Sequence, residues 1–366
     1  MSVEPEHQQR HTLAARLAAA RRLGAAADSR LGAAIADFFL PDDARLDERT
    51  RTMLGQLLEA VVRAIETDIR HHAARVLAER TQSDAAERIL RGPDDVLRRL
   101  GRAGLLRDRQ LMDELLAQVR ADQIGQALAP VSADAEQPSL LIRLTEVDDG
   151  VVAAAARALL TAEARRRTAI EQGRAHHSAP PAERHHQLVW WVAACIREAQ
   201  NVGDAGDAAL DRAIVAAAQR NLGAHDEGQR PEAAAMRLAT AIDARSDEIG
   251  PLLVDALGDR RLLLFIAVLA RGVDIDFSAA RQIVLEPEGD RLWLALRAVA
   301  LDRETIARIA LALADADPRR DIEAFADALD AIAAVPVETA RSALAPLTLH
   351  HDLRLAIDAL ARESMR

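Results

Sequence analysis

Apolar residues recur along most of the chain at intervals of three and four positions, which is the spacing of one face of an α-helix. The clearest stretch begins at Leu54 and runs through Val61, Ile65 and Ile69 to Leu77. This pattern predicts a long helix, or two nearly collinear ones, over residues 47–80. Asp47 precedes the stretch, and its carboxylate is suited to accept the free N–H groups of a first helical turn.

Short polar segments with Pro or Gly interrupt the helical pattern, notably 92–94, 130–138, 173–182 and 201–207. Because most of the intervening connections are only two to six residues long, neighbouring helices are expected to be antiparallel. Besides the long helix, the pattern predicts helices at 8–23, 29–40, 83–91, 94–102, 108–120, 121–129, 183–200, 207–222, 231–243, 247–257, 260–271, 277–285, 290–301, 303–315, 319–334, 337–345 and 350–362.

Two segments of the chain repeat one pattern. Residues 69–77 align with residues 151–159, and both contain an apolar residue, Ala-Ala-Arg and Leu after an acidic turn. The distance between the two segments is twice the period of HEAT and armadillo repeats, and that period is about 41 residues. The fold class predicted is therefore all-α, with antiparallel helix pairs forming a HEAT-like α-solenoid or repeat array and a C-terminal helical bundle.

Three regions follow from this organisation. Residues 1–130 form an N-terminal helical region that contains the long helix 47–80, and residues 131–172 add a HEAT-like helix pair. Residues 183–366 form a C-terminal helical domain, in which the strongly apolar run 262–270 is expected to be the central helix. Short helices that bury one face against their neighbours are typical of such arrays.

The amino-acid composition excludes several classes of catalytic and phosphate-binding site. Alanine makes up about a fifth of the chain, Tyr is absent, and all 47 basic residues are Arg because the chain has no Lys. A Schiff-base lysine, a P-loop lysine and the phosphate-binding lysine of kinases are therefore excluded. The single cysteine, Cys195, excludes an intramolecular disulfide and suits a reducing cytoplasm.

The net charge of −10 is distributed unevenly. Residues 1–110 contain 19 Arg and 17 Asp or Glu, a net charge of +2, so the remainder carries −12. This balance favours a protein partner with a basic surface and argues against nucleic acid. The polar N-terminus lacks the apolar core of a signal peptide, and no run is long enough to span a membrane, so we expect a cytoplasmic protein.

Three motifs resemble a known family. They are Phe38-Phe39-Leu40-Pro41-Asp42-Asp43, the segment 183–194 with its Trp190-Trp191 pair, and Asp290-Arg291-Leu292-Trp293. Together they are similar to stretches of a bacterial family of uncharacterised proteins, domain of unknown function 2336, and they fall near the start, middle and end of the chain. The resemblance implies a helical, HEAT-like fold and brings no activity, cofactor or catalytic residue.

The candidate site residues each have a structural explanation as well. Trp190 and Trp191 lie in a segment that is apolar on nearly every side, which favours core packing over a ligand-binding wall. Adjacent histidines point about 100° apart on a helix, so one pair cannot share a metal ion, and a metal site joining His176 or His177 to His185 or His186 is less favoured than polar caps and surface helix positions.

The run Arg165-Arg166-Arg167 is a candidate for gripping a phosphate or an acidic partner, although basic residues at a helix C-terminus also suit the helix dipole. No catalytic or metal-binding motif accompanies these residues.

The function expected is therefore a non-enzymatic scaffold or interaction protein, without cofactor or metal, that binds another protein. Self-association through the helix 47–80 is a further prediction. The alternative is an enzyme or small-ligand-binding protein with a site between helices near Trp190 and Trp191.

Overall fold

The computed structural model describes residues 45–130, 138–172, 180–200 and 207–350, together with 353–354, 356–357 and 360–361. Throughout these residues the chain is helical and contains no strand, so the all-α prediction is confirmed. The helices predicted at 8–23 and 29–40 lie outside the described residues, as do Phe38 and its neighbours in the first resemblance motif.

The described part of the chain contains sixteen α-helices joined mostly by short turns. The first eight are α1 (Glu48–Glu79), α2 (Ser83–Leu90), α3 (Val96–Arg102), α4 (Arg109–Ala127), α5 (Leu140–Thr145), α6 (Gly150–Glu171), α7 (Ala182–Ala199) and α8 (Ala208–Ala224). The second eight are α9 (Pro231–Ile242), α10 (Ser246–Gly258), α11 (Leu262–Val273), α12 (Phe277–Leu285), α13 (Asp290–Ala298), α14 (Arg303–Ala316), α15 (Ile322–Ala334) and α16 (Val337–Leu344). No described helix is both long and apolar enough to cross a membrane.

Helix boundaries match the sequence pattern closely, with one clear difference. The two helices predicted at 108–120 and 121–129 are the single helix α4. The reason is that its buried stripe, Leu111, Leu115, Val119 and Ile124, continues without a break across residue 120. A helix whose apolar face packs throughout needs no turn at that point.

Aspartates cap many of the helices. The Asp47 carboxylate accepts the Thr50 N–H at 2.8 Å, as predicted, and the hydrogen bond from the Thr50 hydroxyl, together with this one, lowers the pKa of Asp47. The same role is taken by Asp108, Asp207, Asp276, Asp302 and Asp321. Each satisfies N–H groups that a first helical turn leaves unpaired, which explains why so many acidic residues stand at helix starts.

The chain divides into two compact units, residues 1–51 and 52–366. The core of the second unit is built around α11, in which Leu262 and every residue from Leu264 to Ala270 are buried. This helix packs against α4, α9, α10, α12 and α13. The prediction that 262–270 is a central helix is confirmed.

Long-range packing joins α4 to the later helices. Besides α11, α4 contacts α12 and α14, which follow it by well over a hundred residues. In a solenoid each repeat contacts mainly its neighbours, whereas a bundle brings distant helices together. Around α4 and α11 the second unit is therefore packed as a bundle.

The proposed repeat pair agrees in burial at some positions and differs at one end. Leu77 and its counterpart Leu159 are both fully buried. Ala74 and its counterpart Ala156 are buried as well. Ile69 is fully buried, but its counterpart Val151 is 71% exposed at the start of α6. The HEAT-like repeat stays a prediction.

A buried ion pair organises the corner between α1, α2 and α3. The Arg70 guanidinium binds Glu66 at 2.7 Å and donates to the carbonyls of Ile89 and Pro93 at 2.7 and 3.0 Å. Burial raises the pKa of Glu66 despite this pairing. A Cβ at Gly92 would overlap the guanidinium, so only glycine leaves Arg70 its place.

Candidate functional site

The arginine run of α6 is divided among three surroundings. Because α6 continues to Glu171 and has no basic residue in its last turn, the run lies inside the helix and the dipole explanation is wrong. Arg165 donates to Gln229 at 3.2 Å, and Arg166 bridges two acidic side chains. Arg167 is exposed and has no ion-pair partner among the described residues. The three guanidiniums do not converge on one point.

Arg166 belongs to a buried ionic network between four helices. Its guanidinium contacts Asp122 of α4 at 3.0 Å and Glu232 of α9 at 2.9 Å. Arg230, which precedes α9, contacts Glu232 at 3.7 Å and Glu114 of α4 at 3.1 Å. This network ties α4 to α6, α9 and α12. Its members are Glu114, Asp122, Arg166, Arg230, Glu232 and Arg281.

Glu114 is the branching point of this network. Arg281 donates to both of its carboxylate oxygens, and Arg230 donates to one of them. Burial disfavours the carboxylate, but the hydrogen bonds and charge of Arg281, with the charge of Arg230, outweigh it and leave the pKa of Glu114 below its ordinary value. Glu114 is therefore held as an anion between two guanidiniums.

A cleft of about 580 Å³ opens beside this network, lined by α4, α6 and the turn from α10 to α11. Four arginines line it, Arg166, Arg167, Arg260 and Arg261, and we call it the arginine cleft. Its three acidic side chains are engaged: Asp122 by Arg166, Glu163 by Arg261, and Asp259 by the backbone N–H of Leu140. Arg167 and Arg260 have no ion-pair partner in the described part of the chain.

The turn between α10 and α11 forms one wall of the cleft. Arg260 adopts a left-handed φ of 60°, and the backbone N–H groups of Arg260 and Arg261 bond back to Leu257 and Ala256. This is the Schellman ending of a helix, where glycine is usual. The helix α11 then begins with Leu262 and Leu263 on the cleft wall, and no side chain caps its first turn.

The tryptophan pair of α7 is only partly buried. Trp190 and Trp191 are each half-buried, so the prediction that both are core residues is wrong. The reason is that α7 buries one stripe, Leu188, Val189, Val192, Cys195 and Ile196, which leaves the indoles at its margin. The Trp190 Nε1–H donates to His186 Nε2 at 3.2 Å.

The two histidines at the start of α7 have different surroundings. His185 is buried, and its ring lies 4.5 Å from that of His225. His186 is exposed and receives the Trp190 hydrogen bond. His176 and His177 lie outside the described residues. In the parts of the chain that are described, no group of three or more His, Cys, Asp or Glu is placed to hold a metal ion.

Cys195 behaves as a small core residue. Its side chain is buried, its Sγ approaches the Val96 carbonyl at 3.9 Å, and burial raises the pKa of its thiol. Its own carbonyl accepts a hydrogen bond from Arg99 at 2.8 Å, which ties α7 to α3. A raised pKa reduces the thiolate fraction, so Cys195 is poorly suited to be a nucleophile.

A second charged surface lies on α14 and α15, which pack together as an antiparallel pair. The Arg303–Asp330 ion pair, at 2.7 Å, joins the two helices, and each also presents a large apolar side chain to solvent, Leu311 on α14 and Ile322 on α15. These apolar side chains are 54% and 38% exposed. The exposed acids around them are Asp315, Glu323 and Asp327, and none of the three has an ion-pair partner among the described residues.

The arginines of this helix pair already form ion pairs with other carboxylates, so the three acids have no cation left to pair with. Arg303 binds Asp330, Arg308 lies 3.4 Å from Glu304, and Arg319 binds Asp317 at 2.8 Å. The helix α15 contains no basic residue of its own. We call Leu311, Asp315, Ile322, Glu323 and Asp327 the acidic hairpin surface.

Sequence reasoning missed most of these residues. Glu114 meets Arg230 and Arg281 across separations of 116 and 167 positions, and no local motif marks such pairs. The acidic hairpin surface had a weak signal, because α15 combines three exposed acids with no cation. Only Arg166 and Arg167 of the arginine cleft were candidates beforehand.

The fold and these two surfaces define an all-α protein with a buried ionic network. Comparisons with protein-family models, with curated proteins and with solved structures find no match. The resemblance to domain of unknown function 2336 therefore stays a prediction.

Proposed function

We propose that the protein is a non-enzymatic helical interaction protein and that the acidic hairpin surface binds another protein. The observation that carries this proposal is the pair of exposed apolar side chains, Leu311 and Ile322, surrounded by acids that have no partner within the described chain. Contiguous exposed apolar patches with a polar rim are typical of docking surfaces. The partner surface is basic and contains apolar side chains.

Charge complementarity defines the partner. Asp315, Glu323 and Asp327 add three negative charges that no described cation neutralises. Their field attracts a positively charged surface over roughly the Debye length, about 8 Å at physiological ionic strength. Such rim charges raise the association rate, while Leu311 and Ile322 contribute apolar contact area once the partner is seated.

The setting proposed for this activity is the cytoplasm of a bacterium, in a HEAT-like array of helix pairs. Self-association through α1 is the less direct part of the proposal. Its apolar stripe, Val61, Val62, Ile65, Ile69 and Leu77, is buried within one chain, so a homodimer would use the exposed polar side of α1.

The alternative proposal is a small-ligand site beside Trp190 and Trp191. It is supported by the partial exposure of both indoles and by the His186 contact at the rim of α7. A ligand that quenches the fluorescence of Trp190 and Trp191, and loses affinity when both are replaced by Phe, would favour this alternative over the acidic hairpin surface.

The decisive experiment compares two variants with the same net charge. Asp315→Asn/Glu323→Gln/Asp327→Asn removes three charges from the acidic hairpin surface. Glu79→Gln/Asp84→Asn/Glu146→Gln removes three exposed charges elsewhere. Each protein is used to capture partners from the native cell, and the association rate of a captured protein is measured by surface plasmon resonance at several salt concentrations.

We expect the hairpin variant to associate about tenfold more slowly than the parent at low salt, and the control variant to match the parent. The difference should shrink as salt rises, because exposed charges are screened. Replacing Leu311 with Ser should speed dissociation. Equal capture and equal rates for the two triple variants would contradict the proposal.

A further inference from the structure

We propose that the arginine cleft binds a small molecule through a phosphate group. This site is separate from the acidic hairpin surface and goes beyond the proposed interaction function. The cleft combines an excess of arginines over acids with a volume suited to a small molecule.

The charge of the cleft favours an anion. Arg166 pairs with Asp122 and Arg261 pairs with Glu163, while Asp259 accepts the Leu140 N–H and keeps its negative charge, so the lining of four arginines and three acids has a net charge of +1. Two guanidiniums, those of Arg167 and Arg260, remain without an ion-pair partner among the described residues. A phosphate monoester carries close to two negative charges at neutral pH and offers an acceptor oxygen to each of these guanidiniums. Guanidinium forks also match the geometry of phosphate oxygens.

The first turn of α11 adds a positive potential beside the guanidiniums. The helix α11 begins at the cleft wall with Leu262 and Leu263, and its first turn has no side-chain cap. The N–H groups of such a turn carry the positive end of the helix dipole and bind phosphate oxygens in many proteins. They supplement the two free guanidiniums and do not carry the proposal alone.

The turn after α10 places Arg260 at the cleft. Its φ of 60° is that of the residue following a helix, where glycine is usual, and Ala300 adopts the same conformation after α13. Arg260 lines the cleft and is exposed, so its guanidinium is available to a ligand.

The size and lining of the cleft define the rest of the ligand. A volume of about 580 Å³ lies within the range of small-molecule sites, roughly 300–1,000 Å³. Ala121, Leu262 and Leu263 supply apolar wall, and no aromatic side chain lines the cleft to stack on a nucleobase. The ligand is therefore a compact phosphate ester or a pyrophosphate.

The experiment titrates the full chain with inorganic phosphate, pyrophosphate and succinate at constant ionic strength, using calorimetry and thermal melting. We expect saturable binding of phosphate and pyrophosphate, and weaker binding of succinate. Arg167→Gln and Arg260→Gly should each raise the dissociation constant for pyrophosphate about tenfold.

Two matched variants separate binding from folding. Arg165→Gln removes the same charge from the same helix outside the cleft and should bind like the parent. Ala300 follows α13 with a φ of 61° in the same kind of turn, so Ala300→Gly reproduces the backbone change without the loss of a guanidinium. It should bind pyrophosphate normally.

Three results would overturn the phosphate site. They are no saturable binding at millimolar pyrophosphate, unchanged affinity in both Arg167→Gln and Arg260→Gly, and succinate binding as tight as that of phosphate. None of these variants touches the acidic hairpin surface, so partner capture by Arg260→Gly remains a separate measurement of the proposed interaction function.

Discussion

The arginine cleft and the acidic hairpin surface belong to the same compact unit but have opposite charge imbalances. In the cleft each carboxylate is engaged, and the guanidiniums of Arg167 and Arg260 are in excess. On α14 and α15 each arginine is engaged, and the carboxylates of Asp315, Glu323 and Asp327 are in excess. The difference shows that the charge of each surface is set by which charged side chains lack partners locally.

The charge totals along the sequence conceal this difference. Residues beyond 110 carry most of the negative charge, and that segment favoured a basic partner throughout. Yet Arg260 and Arg261 lie in the same segment and form part of a cationic cleft. Field strength at a surface depends on neighbours within roughly a Debye length, about 8 Å, and not on the sum over two hundred residues.

The largest expected effect comes from breaking the network beside the cleft. Glu114→Gln leaves the buried guanidiniums of Arg230 and Arg281 without their shared anion. Removal of one partner from a buried ion pair typically costs about 3–5 kcal/mol, so the urea midpoint should fall sharply. Asp327→Asn is the control on the exposed surface and should change the free energy of unfolding by less than about 0.5 kcal/mol. Similar losses in both would mean that the two regions do not differ in this way.

The same residue predicts an acid-side loss of stability. The pKa of native Glu114 lies below its ordinary value of 4.5, so its stabilising contribution is complete above about pH 4.5. This contribution is lost as pH falls through the lowered native pKa, because the unfolded chain then binds the proton more tightly. Urea unfolding between pH 6 and pH 3 should show a steeper decline in the parent than in Glu114→Gln.

Glu66 changes the pH dependence of stability in the opposite direction, because burial raises its pKa. Since both proteins contain Glu66, its effect cancels when the two curves are compared. Parallel curves for parent and variant would contradict the assignment of a lowered pKa to Glu114.

The smallest expected effect concerns the strained turn at the cleft. Arg260→Gly and Ala300→Gly both relieve a left-handed backbone conformation. Each should raise the free energy of unfolding by at most about 1 kcal/mol, because relief of strain is partly offset by the greater freedom of glycine in the unfolded chain. Thermal melting measures both. A marked loss of stability in Arg260→Gly alone would show that its side chain serves the fold, and the comparison with the acidic hairpin surface would lose its functional meaning.

Local patterns predicted the helices, while the sites depended on distant pairs. The helices could be predicted from local sequence, because burial of one helical face repeats every three or four residues. Examples are the stripe of Val61, Ile65 and Ile69 and the apolar run of α11. The partners of Glu114 are separated from it by 116 and 167 positions, and only the folded chain, with α4 packed against α12 and Arg230 just before α9, brings them together.

The tryptophan pair shows the limit of reading burial from a sequence. The segment around Trp190 and Trp191 is apolar on nearly all sides, which predicts full burial. The helix α7 packs against α3 and α8 and buries its Leu188–Val192–Ile196 side, so residues beside that stripe remain partly exposed. Which side of an apolar helix meets solvent is decided by its neighbours.

The contact between Arg70 and Gly92 limits how this chain can vary. Any side chain at position 92 must displace the guanidinium that binds Glu66 and the carbonyls of Ile89 and Pro93. A replacement of Gly92 that is tolerated when position 70 holds a shorter residue should therefore destabilise the fold when position 70 holds arginine. Related sequences should inherit the two positions as a linked pair, and glycine should be required at position 92 only where arginine occupies position 70.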